Sequence, residues 1–158
     1  MNASEGTLDG RNLTIGITVS KFNGPVTEKL LDSAIQCLVK HKVPSGAIHV
    51  VRVPGAFELP YAAQKLAESE RYDAILCLGA VIQGETPHFD YICQETTRGI
   101  GRVMSRFSLP VIFGVLTTDT LEQAKERSGD RASNKGWEAA LAALEMATIP
   151  FDELVPWE

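Results

Sequence analysis

Four short apolar segments recur along the chain, and each has the pattern of a β-strand covered on both faces. They span residues 13–19, 47–53, 74–82 and 110–116. Each is nearly continuous in apolar character and rich in valine and isoleucine, as buried parallel strands are. Because segments with the pattern of helices separate them, we predict a single α/β domain, a three-layer α/β/α sandwich around a central four-stranded parallel sheet.

Five segments between and after these strands are expected to form helices. They lie at 25–41, 57–69, 87–106 and 117–129, and from residue 134 onward. Pro60 is tolerated only in a first turn, which places the start of the second helix near residue 57. Asp119 and Glu122 have the spacing of a capping box for the fourth helix, and Asn134 is a good N-cap for the last.

Composition limits the classes of function. The chain has 158 residues, the size of one domain, and its formal net charge of −5 argues against a nucleic-acid partner. No apolar run reaches the roughly 18 residues of a membrane span, so we expect no membrane partner. The N-terminal residues are polar and acidic, unlike a signal peptide. We therefore expect a flexible segment at 1–12, a domain at 13–158 and a cytoplasmic location.

Neither metal chemistry nor disulfide chemistry is indicated. Cys37, Cys77 and Cys93 are scattered through apolar segments without C-x-x-C spacing, so we expect reduced core residues. The sequence has no H-E-x-x-H motif and no cluster of cysteine and histidine, and we expect no metal site. His41 and His49 stand alone, and we assign them no chemical role.

The candidate binding site lies beyond the carboxyl ends of the predicted strands, where open parallel sheets bind ligands. The segments at these ends are SKFNG, PGAFELP, QGETPH and TTDT. Phe22 is aromatic where a turn should be polar, and it could cover the helix start or form a platform for a flat heteroaromatic ring. Glu58, beside Phe57, could complement a helix dipole or accept hydrogen bonds from a polyol.

The segment QGETPH combines close backbone approach at Gly84 with the start of a helix. The free N–H groups of Thr86, His88 and Phe89, with the Thr86 hydroxyl, would form a site suited to an anion such as phosphate. Helix-end electrostatics contribute about 0.3–1 kcal/mol, so a phosphate would also need a cation. Arg127 could provide that cation, or it could complement the C-terminal end of its own helix.

His88 would lie beside this anion site. An imidazole with an ordinary pKa of about 6.5 suits proton transfer at neutral pH, although a lone histidine can equally be structural. No nucleophile motif, P-loop or dinucleotide-binding motif is present. The residues therefore favour acid–base chemistry on a phosphorylated partner and a ring.

Five blocks of sequence, in order, are similar to one family. They are KFN, VPGAFELP, LGAVIQGETPHFDY, FGVLTTDTLEQAKERSG and NKGWEAALAALEM. Together they resemble the lumazine synthases, collinearly from about residue 13 to residue 147. The resemblance implies a flavodoxin-like fold and the penultimate step of riboflavin biosynthesis. In that step 5-amino-6-(D-ribitylamino)uracil condenses with 3,4-dihydroxy-2-butanone 4-phosphate to give 6,7-dimethyl-8-ribityllumazine, phosphate and water, without a cofactor.

The resemblance also implies roles for residues of this chain. His88 would be the catalytic proton shuttle, Phe22 would stack on the pyrimidine, and Glu58 would accept the hydroxyl groups of the ribityl chain. The substrate-binding set that it implies is Phe22, Ala56, Phe57, Glu58, Gly79, Ala80, Val81, Ile82, Gly84, Glu85, Thr86, Phe113, Arg127 and Lys135.

The active site implied by the resemblance is shared between subunits. Phe113, Arg127 and Lys135 would come from a neighbouring copy, so the site would exist only in a homo-oligomer. Pentamers are the family unit, some members build hollow shells from them, and riboflavin synthase is a further partner that the resemblance allows. Gln83 stands where many relatives carry a basic residue, and Ser133 stands where the family often has glycine.

Two other functions are weighed against this one. The related archaeal-type riboflavin synthase shares the fold, but it dismutates two lumazines and needs no phosphate site, so QGETPH and Arg127 argue against it. In a non-catalytic lumazine or flavin carrier, or a shell-forming scaffold, His88, Arg127 and Glu58 would be free to change, and the presence of all three favours the enzyme. Trp157, in the tail, could pack on a neighbour or make no contact.

Overall fold

The computed structural model describes residues 1–154, and the prediction about Trp157 lies outside that range. Four strands form the sheet: β1 (Ile15–Ser20), β2 (Ile48–Val53), β3 (Ala74–Ile82) and β4 (Val111–Thr118). The helices are α1 (Gly24–Lys40), α2 (Leu59–Glu68), α3 (His88–Phe107), α4 (Leu121–Arg127), α5 (Lys135–Thr148) and the short α6 (Phe151–Leu154). Short 3-10 turns lie at Ser45–Ala47, Ala56–Glu58 and Arg131–Ser133.

The sheet is entirely parallel, with strand order β2-β1-β3-β4. Helices α1 and α5 pack on one face and α2 and α3 on the other, so that the sheet lies between two helical layers. The predicted three-layer α/β/α sandwich of flavodoxin-like topology is therefore confirmed. Along β1, Ile15, Ile17 and Val19 point into the core under α1 and α5, as a strand covered on both faces requires.

Strand β2 departs from the prediction that all four strands are buried on both faces. Val51 and Arg52 are exposed, and only Val53 at the end of the strand is fully buried. The prediction was wrong here because β2 is an edge strand that helices cover only sparsely, unlike β4 at the other edge, and an apolar run does not reveal such cover. Arg52 instead forms an exposed ion pair with Glu28 of α1 at 3.1 Å.

The helix ends follow local hydrogen bonding. The capping box of α4 is formed by Thr120 and Gln123, and the predicted pairing of Asp119 with Glu122 was wrong. Thr120 is the residue with extended backbone, and its hydroxyl oxygen accepts from the Gln123 N–H at 3.1 Å. At α5, Asn134 is the N-cap as predicted, because its side-chain oxygen accepts from the Gly136 N–H at 2.8 Å.

The N-terminal segment contacts the domain at two places. The Thr7 N–H donates to the Thr148 hydroxyl at 2.7 Å, and the Gly10 N–H donates to the His41 carbonyl at 2.8 Å. The division of the chain after residue 12 stays a prediction. Within residues 1–154, no helix is long and apolar enough to cross a membrane.

The three cysteines are free thiols, and two of them lie in the core. Burial raises the pKa of the Cys37 thiol to about 11 and also raises the pKa of Cys77. Cys93 is only half-buried, so the expectation of a core residue was wrong for it. In the described part of the chain, no group of three or more histidine, cysteine or acidic side chains is arranged to hold a metal ion.

Candidate active site

A crevice opens between the carboxyl ends of β1 and β3. Pairing of β1 with β3 ends at Val19 and Leu78, whereas β3 stays paired with β4 as far as Ile82. The chain after β1 turns toward β2 instead, because the Phe22 N–H donates to the Pro54 carbonyl at 3.0 Å. Strand connections leave in opposite directions from β1 and β3, and ligands of open α/β sheets bind at such a switch point.

A cavity of about 540 Å³ occupies this crevice. Its lining comes from the loop after β1, the turn after β2, the end of β3 and the start of α3. The lining residues are Phe22, Asn23, Pro54, Gly55, Ala56, Phe57, Glu58, Ala80, Val81, Ile82, Gly84, Thr86, His88, Phe89 and Ile92. The structure thus brings together most of the residues that were expected to bind substrate, and a cavity of this volume suits a small molecule.

Two phenyl rings stand at the cavity with much of their surface exposed. Phe22 is 72% exposed and Phe57 is 55% exposed. A ring that covered the start of α1 would be buried against it, so the covering role considered for Phe22 does not fit its position. Exposed phenyl faces can instead stack on a flat heteroaromatic ring, with an energy of about 0.5–1.5 kcal/mol beyond the buried area.

The turn after β2 carries Glu58 to the cavity. The residues Ala56–Glu58 form a 3-10 turn that leads into α2, and the Glu58 N–H donates to the Gly55 carbonyl at 3.2 Å. Glu58 caps α2 by position without a side-chain cap hydrogen bond. Within residues 1–154 its half-buried carboxylate has no hydrogen-bond partner, and it can therefore accept hydrogen bonds from ligand hydroxyl groups.

The N-terminus of α3 closes another side of the cavity. Pro87 was predicted to be the first helical residue but is the N-cap, and the helix begins one residue later, at His88. The first N–H groups of a helix have no intrahelical acceptor, and α3 is 20 residues long. With the exposed Thr86 hydroxyl beside them, these donors can bind an anion.

His88 is exposed at the cavity and has no hydrogen-bond partner among residues 1–154. Its imidazole therefore has both ring nitrogens available to a bound reactant. His41 and His49 are engaged elsewhere: His41 Nδ1 lies 2.8 Å from the Cys37 carbonyl oxygen, and His49 Nδ1 lies 2.9 Å from the Tyr72 hydroxyl. Of the three histidines, only His88 can therefore transfer protons in the cavity.

Gly79 and Glu85 were expected in the site but do not line the cavity. A Cβ at Gly79 would come within 3.0 Å of both the Leu59 side chain and the Ser20 hydroxyl. Gly79 therefore allows Leu59 of α2 and Ser20 of β1 to pack closely on β3. Glu85 is exposed on the loop between β3 and α3, next to the lining residues Gly84 and Thr86.

Three further predicted residues lie outside the cavity of this chain. Arg127 ends α4, where its guanidinium donates to the Gln123 carbonyl at 3.1 Å and lies 3.8 Å from Glu126. Lys135 pairs with Glu138 at 3.0 Å in the first turn of α5. Phe113 packs half-buried on the core under α2 and α3. Among residues 1–154 of one chain, no cationic side chain lines the cavity.

The structure also adds residues that sequence reasoning missed. Asn23, Pro54, Gly55 and Ile92 line the cavity, and so does Phe89, of which only the backbone N–H had been expected there. Ile92 could have been found, because it lies four residues after His88 on the same helix face. Asn23 gave no such signal, because asparagine before glycine is ordinary in a turn.

One family comparison matches nearly the whole domain. The model of the 6,7-dimethyl-8-ribityllumazine synthase family matches residues 12–150 of the 158-residue chain, a span that includes every strand and the entire cavity. This chain therefore belongs to the 6,7-dimethyl-8-ribityllumazine synthase family, a family of transferases.

Proposed function

We propose that the protein condenses 5-amino-6-(D-ribitylamino)uracil with 3,4-dihydroxy-2-butanone 4-phosphate. The products are 6,7-dimethyl-8-ribityllumazine, phosphate and water, and the reaction is the penultimate step of riboflavin biosynthesis. One observation carries the proposal: a single cavity combines exposed phenyl rings and a free helix N-terminus with a carboxylate and an imidazole that have no hydrogen-bond partner among residues 1–154. Each of these groups matches one part of the two substrates.

The ring-bearing substrate occupies the side of the cavity formed by β1, β2 and β3. Phe22 and Phe57 offer their exposed faces to the pyrimidine. The backbone of Val81 and Ile82, at the end of β3, supplies hydrogen-bonding groups to the ring edge. Glu58 accepts hydroxyl hydrogen bonds from the ribityl chain, because its carboxylate has no partner among the described residues.

The phosphate of the second substrate binds at the start of α3. Gly84, Glu85 and Thr86 frame it, and the free N–H groups of the first helical turn donate to its oxygens. The helix end contributes only about 0.3–1 kcal/mol, so a doubly charged group needs a cation as well. Arg127 of a second copy supplies that cation, since no cationic side chain of the described part of one chain lines the cavity.

His88 moves protons between the reacting groups. Two C–N bonds form when the amino groups of the uracil meet the carbon chain of the ketone, and phosphate and water leave. His88 accepts a proton from the attacking amine and returns one to a leaving oxygen. Such proton transfer contributes about 10²–10⁴-fold, and holding the two reactants together contributes up to ~7–11 kcal/mol in the best-oriented cases.

A homo-oligomer completes the site. Phe113, Arg127 and Lys135 of a neighbouring copy are proposed to face the cavity, which would otherwise lack positive charge. A contact in which different surfaces of identical chains meet forms a ring when its rotation closes, so a cyclic assembly such as a pentamer is consistent with a shared site. Exposed Phe22, Phe57 and Tyr61 would gain cover from such a neighbour.

The proposal is tested by identifying the products. The purified protein is mixed with both substrates, and lumazine is measured by mass spectrometry alongside released phosphate, with a protein-free control. We expect equal amounts of lumazine and phosphate, above the spontaneous reaction. Binding of lumazine without its formation would instead indicate a carrier, and conversion of lumazine to riboflavin would indicate a riboflavin synthase.

A further inference from the structure

We propose that Asn23 is a positioning residue that joins the loop after β1 to the end of β3 and thereby fixes the width of the crevice. This inference rests on the proposed function, because it concerns the binding of the ring-bearing substrate. Asn23 lines the cavity, and its side-chain Nδ2 donates to the Ala80 carbonyl at 2.9 Å. The bond is half-buried and links positions 57 residues apart in the sequence.

The bond replaces a strand contact at the point where the sheet opens. Pairing between β1 and β3 ends at Val19 and Leu78, and Ala80 lies two residues further along β3. There β1 no longer runs beside β3, because the chain has turned toward Pro54. The side-chain amide of Asn23 bonds to the Ala80 carbonyl in place of a neighbouring strand. At this point the loop after β1 and the end of β3 are therefore held one hydrogen-bond length apart.

The backbone of Asn23 fixes the same loop from its other side. Asn23 is left-handed, with φ 60° and ψ 42°, and its carbonyl accepts from the Val26 N–H at 2.9 Å and the Thr27 N–H at 3.0 Å. The residue therefore starts α1 through its backbone and holds β3 through its side chain. Both contacts are made by one residue, so the loop cannot shift along β3 without breaking one of them.

Phe22 is placed by these contacts. Its ring is 72% exposed and has little packing of its own, so its position follows from the backbone on either side. On the β2 side the Phe22 N–H bonds to Pro54, and on the β3 side the next residue, Asn23, bonds to Ala80. Loss of the amide is expected to let the ring move away from the β3 backbone that binds the other edge of the substrate.

A purely conformational role for Asn23 makes a different prediction. Asparagine tolerates the left-handed region better than most residues, and glycine tolerates it better still. If only the backbone conformation mattered, Asn23→Gly would be fully active. If the amide positions the loop, Asn23→Gly keeps the backbone conformation but no longer holds the loop to β3. Asn23→Asp also no longer holds the loop, because a carboxylate cannot donate to the Ala80 carbonyl.

The test is steady-state kinetics of the wild type, Asn23→Gly and Asn23→Asp. We expect KM for the ribitylaminouracil to rise about tenfold in both variants, equivalent to about 1.4 kcal/mol. KM for the butanone phosphate should stay within about twofold, because its proposed site at the start of α3 is not held by the bond between Asn23 and Ala80. The matched control is Lys42→Gly, which places glycine at another left-handed position, φ 73°, away from the cavity and should leave both constants unchanged.

Two results would overturn the inference. One is a KM for the ribitylaminouracil in Asn23→Gly equal to that of the wild type; the other is an equal rise in both KM values, which would mean general disruption. Thermal unfolding of each variant separates loss of positioning from loss of folding. A wild type that neither forms nor binds lumazine would defeat the proposed function and this inference together, whereas an active wild type matched by Asn23→Gly would defeat the inference alone.

Discussion

His88 is the first residue of α3, and its imidazole is exposed to the cavity without a partner in the described part of the chain. As a proton shuttle it would contribute about 10²-fold or more to turnover. We expect His88→Ala to lower kcat by about 10² while leaving slow catalysis, because the binding of two reactants in one cavity is retained. The measurement is the initial rate of lumazine formation at saturating substrates.

The control for this substitution is His49→Ala. His49 bonds to the Tyr72 hydroxyl at 2.9 Å, and neither residue lines the cavity. Its removal should leave kcat within about twofold, since no group that touches substrate is changed. Unchanged turnover in His88→Ala would show that proton transfer in this cavity does not depend on the imidazole.

At the residue scale, the sequence predicted the groups whose chemistry is unusual for their setting. An aromatic in a turn, Phe22, and a histidine at a helix start, His88, are recognisable without coordinates. Asn23 was not selected, because asparagine before glycine is ordinary in a turn and its bond to Ala80 joins segments distant in sequence. Only the folded chain shows which carbonyl that amide reaches.

Packing between α2 and α3 depends on a glycine. A Cβ at Gly99 would lie 2.6 Å from Cγ and 2.7 Å from Cβ of Pro60, and the rigid proline ring cannot turn away. Gly99→Ala should therefore lower the free energy of unfolding by about 1–3 kcal/mol through overpacking. Urea denaturation followed by circular dichroism measures the change.

A matched substitution lies two residues further along the same helix. A Cβ at Gly101 meets no atom within 4 Å, so Gly101→Ala gains helix propensity without a clash. It should stabilise the folded chain by up to about 1 kcal/mol. Equal loss of stability in both variants would contradict the idea that the contact of Gly99 with Pro60 sets the helix spacing.

At the element scale, the kind of each element was predictable and some details were not. Continuous apolar runs separated by amphipathic segments determine a layered parallel sheet, and the structure confirms it. The exposure of β2 was missed, because it depends on which distant helices pack over the strand. The cap of α4 was misplaced because Asp119 and Thr120 are both good N-cap residues, and only backbone geometry selects Thr120.

At the scale of the whole molecule, one chain holds an incomplete site. The cavity contains rings, a carboxylate and an imidazole, but Arg127 and Lys135 are bonded within their own helices. The order of the segments in the sequence placed every candidate site residue at the same edge of the sheet. It did not show which of these residues lie together in one cavity. That distinction depends on the positions of whole helices, and here on a second copy of the chain.

The central claim is that this protein forms lumazine in a crevice completed by a neighbouring copy. The most direct measurement is the activity of oligomers that contain both His88→Ala and Arg127→Gln chains, co-expressed with different tags and purified through both. Each variant alone should be nearly inactive. Random mixing in a ring would give about a quarter of the sites both wild-type residues, so we predict roughly a quarter of wild-type activity in the mixed oligomers. Mixed oligomers no more active than the two variants alone would contradict a shared site, and an inactive wild type would contradict the reaction itself.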